Sequence, residues 1–252
     1  MSAPTMTKID LTQHPPFIYP DYRSSRTRGP KKPLLKLCDI IEGEPHIQLG
    51  EFQGSLSNKF HIPEGSNNLL INGPQRGAPL GERIVVSGQV FNQWGKPQSG
   101  ILVEIWQANA SGRYMHKTDK QDAPLDHNFS GVGRCVTDSD GRYRFYTIKP
   151  GAYPWKNHFN AWRPSHIHFS IIGESLADRL VTQMYFCGDP LIEHDPIFCA
   201  TPAANRHRLI SSFDLGITEA DFALGYNFDI VLPGTKDMPI YPKESEHPNE
   251  GS

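Results

Sequence analysis

Residues 151–171 read GAYPWKNHFNAWRPSHIHFSI, and the closing HIHFSI decides how the chain is built. His166 and His168 are separated by one residue. On a strand that spacing sends both imidazoles to one face and Ile167, Phe169 and Ile171 to the other; on a helix it would splay the histidines apart. Pro164 disfavours helix before it, and the apolar set repeats with period 2, so the segment is predicted to be a strand with a core on one side. Two neutral imidazoles on one strand face make half a metal site.

The residues that complete such a half-site set the metal. A nearby cysteine or carboxylate would suggest zinc or a two-histidine, one-carboxylate iron site. Neither stands out here. The polar aromatics upstream are Tyr153, in GAYPW, and Tyr114, in ASGRYMHK. A phenol with a free pKa of about 10 is held deprotonated near neutrality only by a strongly acidic cation, which favours ferric iron over zinc or ferrous iron. Taken singly, strand histidines are readily satisfied by hydrogen bonds, and tyrosines are ordinary packing residues.

Working outward, the 252 residues suit one large β domain or two small ones, and a hydrophobic content of 37% is enough for a core. Glycine and proline, 22 of each, punctuate the chain as many short strands require. A net charge of −2 gives no basic footprint for nucleic acid. No apolar run is long enough for a membrane span, and the first residues lack the apolar stretch of a secretory signal, so a cytoplasmic location is expected. The four cysteines, Cys38, Cys135, Cys187 and Cys199, lack metal-ligand spacing and are expected to be reduced thiols.

Strands are predicted at 83–91, 101–107, 142–148, 165–171, 180–186 and 228–232. The Asp138–Gly141 turn leads into an alternation of Tyr143, Phe145 and Thr147 against Arg142, Arg144 and Tyr146. Short strands at these intervals predict a mainly β fold, an antiparallel, prealbumin-like β-sandwich with long loops. Helix is expected only at 205–212 and 218–224, the second opening on a Thr-x-x-Asp cap. Three parts follow: a Pro-rich, aromatic N-terminal arm over 1–78 that lies on a partner chain, a β-sandwich over 79–240, and a tail over 241–252.

Three runs in fixed order carry a resemblance: LVEIWQANASGRY (102–114), TDSDGRYRFYTIKPGAYPW (137–155) and WRPSHIHFSI (162–171). Weaker matches lie at PDYRSS (20–25), PLGERIVVSGQV (79–90) and YNFDIVL (226–232). On these the chain resembles the iron-carrying β subunits of the intradiol ring-cleavage dioxygenases, the protocatechuate enzymes among them. The resemblance implies non-haem Fe(III) held by Tyr114, Tyr153, His166 and His168. It implies that Tyr153 leaves the metal to act as a base, and that Arg163 stabilises negative charge building on the ring. It further implies substrate contacts from Tyr22, Arg28, Trp106, Trp155 and Gln183, and a homologous α subunit that completes an αβ unit of a larger oligomer. The implied reaction is cleavage of protocatechuate by O2 to 3-carboxy-cis,cis-muconate, a step in aromatic catabolism (the β-ketoadipate pathway). Another 4-substituted catechol, such as 4-sulfocatechol, or a non-catalytic prealbumin-like binding module are the alternatives. Met115, Cys187 and the tail after 232 depart from the family pattern and bear on the ring substituent. His116, His127, His158, His194 and His207 are expected to be surface or structural.

Overall fold

The computed structural model describes residue 15 and residues 62–75, 77–116, 119–155, 161–172 and 179–232. Eleven strands are found among them: β1 (Arg83–Phe91), β2 (Leu102–Trp106), β3 (Val132–Val136), β4 (Arg142–Ile148), β5 (Tyr153–Pro154), β6 (Trp162–Arg163), β7 (His166–Ile172), β8 (Arg179–Phe186), β9 (Ile210–Phe213), β10 (Leu224–Asn227) and β11 (Ile230–Val231). The predicted strands at 83–91 and 142–148 match residue for residue. Those at 101–107, 165–171 and 180–186 match to within a residue at each end.

Nine of these strands form one ladder, in the order β4-β1-β10-β9-β8-β7-β2-β3, with β11 continuing the β10 edge of β1. The ends of the ladder, β3 and β4, are consecutive in sequence and lie together, so the sheet curls nearly shut. The turn between them is fixed by Asp138, whose Oδ1 accepts from Asp140 N and Arg142 N at 2.9 and 2.8 Å. Inside the curl, Ile84, Val86, Ile105, Phe145, Ile167, Phe169, Met184 and Phe228 form a continuous core. The period-2 pattern explains the membership: β4 buries Tyr143, Phe145 and Thr147, and β7 sends Ile167, Phe169 and Ile171 inward.

The mainly β expectation holds, but the pairing is not antiparallel throughout. β1 pairs with β10 and β11 in parallel, and β8 pairs with β9 in parallel. Parallel neighbours need long crossovers rather than hairpins, and the segments after β8 supply them. Helix is also scarcer than predicted. Within 205–212, the helix Ala203–Arg206 and the 3-10 turn His207–Leu209 give way to β9. The 218–224 segment is a tight hairpin in which Glu219 and Ala223 bond reciprocally, N to O, at 2.9 and 3.1 Å. Asp221 sits there at φ 59°, the left-handed region, which interrupts any helix. Thr218, the presumed cap, accepts from Gly225 N and donates to Asp214 O instead.

Among the described residues, Cys135, Cys187 and Cys199 are free thiols, and no helix is long and apolar enough to cross a membrane.

Phe169 is fully buried between Tyr143 and Phe228. Replacing it with alanine is expected to destabilise the fold by about 3–5 kcal/mol, from lost transfer energy plus the cavity left behind. Val231→Ala on the half-exposed closing strand should cost below about 1 kcal/mol. Urea unfolding of both variants reads the difference.

Candidate active site

The face of β7 opposite the core carries the histidines. Their ring centroids are 4.9 Å apart, so the strand places both imidazoles on one side as its alternation requires. Neighbouring strands fix what surrounds them: Trp106 on β2 and Gln183 on β8 flank His168 in register, and Tyr185 on β8 pairs with His166. The Trp106 ring lies flat on His168, with centroids 4.8 Å apart and planes 3° from parallel.

The tyrosines arrive on two loops bound to each other through Asn109. Its carbonyl accepts from Gly112 N and Gly151 N, both at 3.0 Å. Its side-chain oxygen accepts from Ser111 N and Arg113 N at 3.0 and 2.9 Å. The loops then pack backbone to backbone. A Cβ on Gly112, which holds φ +81°, would fall 2.3 Å from Ala152 O, and one on Gly151 would fall 2.3 Å from Ala110 O. Only glycine permits that approach at both positions. Beyond it, Asp119 Oδ2 accepts from Tyr114 N at 3.0 Å, and the next loop residue to be anchored, Gln121, donates to Pro154 O at 3.3 Å.

The four side chains converge. Tyr114 meets Tyr153 edge-on at 5.7 Å between centroids and lies 6.5 Å from His168. Tyr153 Oη is 3.4 Å from His166 Nε2. His166 Nδ1–H donates to Pro164 O at 2.7 Å, which leaves the lone pair on Nε2, turned towards the phenol. Burial of the ring, with the Arg163 charge as second cause, holds the His168 imidazole well below the usual histidine range, so it too keeps a lone pair. A 3.4 Å gap between oxygen and nitrogen is one that two donors of a single ion with bonds of about 2 Å can have. Two phenols and two neutral imidazoles in one buried cluster fit a hard, strongly acidic cation such as Fe(III). Among the described residues no group of three or more His, Cys, Asp or Glu that could hold a metal occurs.

Arg163 is not a surface cation. β5 and β6 pair as a short ribbon with Tyr153 opposite Arg163, and the ribbon turns Trp162 outward while burying the arginine completely. Arg163 Nη2 donates to Gln183 Oε1 at 2.5 Å, to Asp195 Oδ2 at 2.9 Å and towards Tyr185 Oη at 3.1 Å. Trp106 and Trp155 are buried with Tyr114 and Tyr153 in one aromatic cluster. Tyr22 and Arg28 lie outside the described residues. His127, His194 and His207 are exposed and His116 is half-buried, its N donating to Tyr114 O at 2.8 Å; His158 lies outside the described residues.

Sequence reasoning missed Tyr185, Asp195 and Asn109. Tyr185 was within reach, because it stands two residues after Gln183 and so shares its strand face. Asp195-Pro196 has the form of a helix start, which marks a cap but not a partner for an arginine 32 residues away.

A family model described as Dioxygenase matches residues 59–234, and one described as Protocatechuate 3,4-dioxygenase beta subunit N terminal matches residues 10–37. The protocatechuate 3,4-dioxygenase beta chain of Burkholderia cepacia is 54% identical over 242 residues, which cover 95% of this chain and 99% of that one. The hydroxyquinol 1,2-dioxygenase of Rhizobium sp. (strain MTP-10005) is 28% identical over 66% of this chain and 58% of its own length. Among solved structures, 3-chlorocatechol 1,2-dioxygenase from Rhodococcus opacus 1CP superposes with a TM-score of 0.52 at 24% identity, covering 70% of each chain, a likeness of fold. Catechol 1,2-dioxygenase from Pseudomonas arvilla C-1 gives a TM-score of 0.50 at 26% identity, over 67% of this chain and 56% of that one.

The glycine contact between the tyrosine loops is testable by itself. Gly151→Ala is expected to lower the thermal midpoint by about 5–10 °C, the equivalent of about 2–3 kcal/mol of overpacking in a chain of this size. It should also weaken ferric-ion uptake, because the two loops can no longer close on each other. A variant with parental midpoint and uptake would show that the approach of the loops is not what holds the tyrosines.

Proposed function

The chain belongs to the intradiol ring-cleavage dioxygenases, and from that premise we propose that it cleaves protocatechuate (3,4-dihydroxybenzoate) with O2 between its two hydroxylated carbons. Both oxygen atoms enter the product, 3-carboxy-cis,cis-muconate. The observation that carries this reading is the convergence of Tyr114, Tyr153, His166 and His168 in one buried cluster. Fe(III) held by those four residues would supply Lewis acidity towards the two catechol oxygens.

The residues divide the remaining work. His166 and His168 offer neutral nitrogens, and Tyr114 a phenolate that stays in place. Tyr153 Oη would accept a proton from the incoming catechol, since a phenolate not bound to a cation has a pKa of about 10 and is a competent base. Arg163, fixed opposite Tyr153, offers guanidinium donors to negative charge developing on the ring oxygens. Gln183 anchors that guanidinium and faces His168, where it can also meet substrate. Trp106 and Trp155 bound the site with apolar surface that excludes water, and substrate contacts from Tyr22 and Arg28 are part of the same proposal.

We read the curled ladder as a prealbumin-like sandwich whose halves, β4-β1-β10 and β8-β7-β2-β3, face each other across the core. The arm over 1–78, the catalytic unit over 79–240 and the tail over 241–252 are the proposed parts. A homologous α subunit completes the pocket in an αβ unit of a larger cytoplasmic oligomer. The beta-chain relative and the match of residues 10–37 to a beta-subunit N-terminal model support the partnership.

The test is the visible spectrum of the full chain, prepared with its α subunit and loaded with ferric ion, before and after anaerobic addition of protocatechuate. Phenolate-to-iron charge transfer should colour the protein red, and the catechol should move the band to longer wavelength. Tyr114→Phe and His168→Ala are each expected to lower iron content and abolish O2 uptake. A colourless parent after ferric loading would overturn the iron centre. A red parent that responds only to another catechol in a panel, 4-sulfocatechol included, would keep the centre and replace the substrate.

A further inference from the structure

Arg163 presents a physical problem that its own neighbourhood must solve. A guanidinium stays protonated in proteins, and burying one without a counter-charge is prohibitively costly. Yet Arg163 is fully buried, next to the strand that bears both histidines. We propose that Asp195 is a positioning residue for Arg163, fixing the guanidinium from its Nη2 end and supplying the buried counter-charge that holds it against the histidine strand. The inference rests on the site as read above.

Asp195 is built for two tasks, one per carboxylate oxygen. Oδ1 accepts from Ile197 N at 3.2 Å and so caps the four-residue helix Pro196–Cys199. Oδ2 takes Arg163 Nη2 and the Tyr185 hydroxyl, each at 2.9 Å. A cap needs only the first oxygen, and caps are ordinarily exposed to solvent, whereas Asp195 is fully buried and turns its second oxygen inward. The residue itself is held firmly: its N donates to Ile192 O at 3.1 Å and its O accepts from Cys199 N at 2.9 Å. Ile192 and Phe198, on either side, pack with Tyr185 and Leu209.

The effect reaches the donors through strand register. Gln183, Tyr185 and Asp195 all accept from Nη2, and the first two stand opposite His168 and His166 on β8. Arg163 itself stands opposite Tyr153. A rotation of the guanidinium would therefore be felt across from three of the four candidate ligands. Gln183 and Tyr185 are neutral, so the charge that opposes the guanidinium in this group is that of Asp195.

Asp195→Asn separates the two tasks. The amide oxygen can still cap Ile197, but the charge is gone, and the amide N–H groups would face other donors. The first readout needs neither iron nor turnover: guanidinium NMR of the full chain with 15N-labelled arginine, the Arg163 signals being assigned by their loss in Arg163→Gln. The parent should show slow, separate Nη signals, and Asp195→Asn should merge or broaden them. In turnover of protocatechuate, Asp195→Asn should lower kcat about 10- to 100-fold with KM changed less than about threefold. Added to Arg163→Gln, it should cause no further loss. Separate, slow signals in Asp195→Asn, or losses that multiply in the double variant, would overturn the proposal. Should Asp195→Asn fail to fold, Tyr185→Phe decides: it keeps the charge pair, so the Arg163 signals should stay separate, and their merging would make Tyr185 the holder instead. Signals released by Asp195→Asn together with parental turnover in Arg163→Gln would leave the positioning intact and remove the role given to Arg163.

Discussion

Successive side chains of a β-strand face opposite ways, and the site hangs on that one rule as β7 applies it. Ile167, Phe169 and Ile171 point into the core while His166 and His168 point away from it. The same backbone therefore carries a packing obligation and a chemical one, and neither can shift register without destroying the other. Antiparallel pairing spreads the constraint sideways, so that Trp106, Gln183 and Tyr185 reach the histidines from β2 and β8 without any loop to position them. The rigid part of the site is thus a patch of sheet, to which Tyr114 is brought on a loop and Tyr153 on the short β5-β6 ribbon.

Those loops illustrate how much close packing depends on what is absent. Where Gly112 meets Ala152 and Gly151 meets Ala110, a single methyl group would separate two loops that each lead to a phenol. Asn109 then does what a turn in a sheet would otherwise do, gathering backbone N–H groups from both loops. The electrostatic side follows a similar economy. An ion pair is seldom a gain in stability when fully buried, because desolvation opposes it. Its presence at Arg163 and Asp195 is better understood as the condition for keeping a permanent cation fully buried beside Tyr153 and Tyr185.

The parts of the fold that alternate were legible from sequence. RIVVSGQVF and RYRFYTI show clear period-2 patterns and became β1 and β4 with the predicted bounds. VGRCV, ISSF and LGYN carry no such pattern, and their strands exist because a neighbour is present: β3 beside β2, β9 between β8 and β10, β10 beside β1. The Thr-x-x-Asp pattern at 218–221 misled because a cap is a local signal, and local signals lose to the tertiary bonds that Thr218 and Glu219 make with Gly225, Arg144 and Tyr146. In the site, Tyr114, Tyr153, His166, His168 and Arg163 lie in short distinctive words. Asp195 does not, since its significance arises only when the chain returns from a distant segment to a buried arginine.

The closure of the ladder bears on how the molecule is made. β1 is among the first described strands to be synthesised, yet the strands that cover one of its edges come from the far end, where Ile84 pairs with Leu224 and Val90 with Ile230. Until those residues leave the ribosome, β1 offers an open row of backbone donors and acceptors, the kind of edge that recruits strands from other chains. Such non-local pairing carries a large loop-closure cost before it is rewarded, which places it late in folding. The nascent chain therefore carries its histidine strand and tyrosine loops beside a gap with an open edge on each side, β1 on one and β9 on the other. Its ladder closes only when the last described strands arrive.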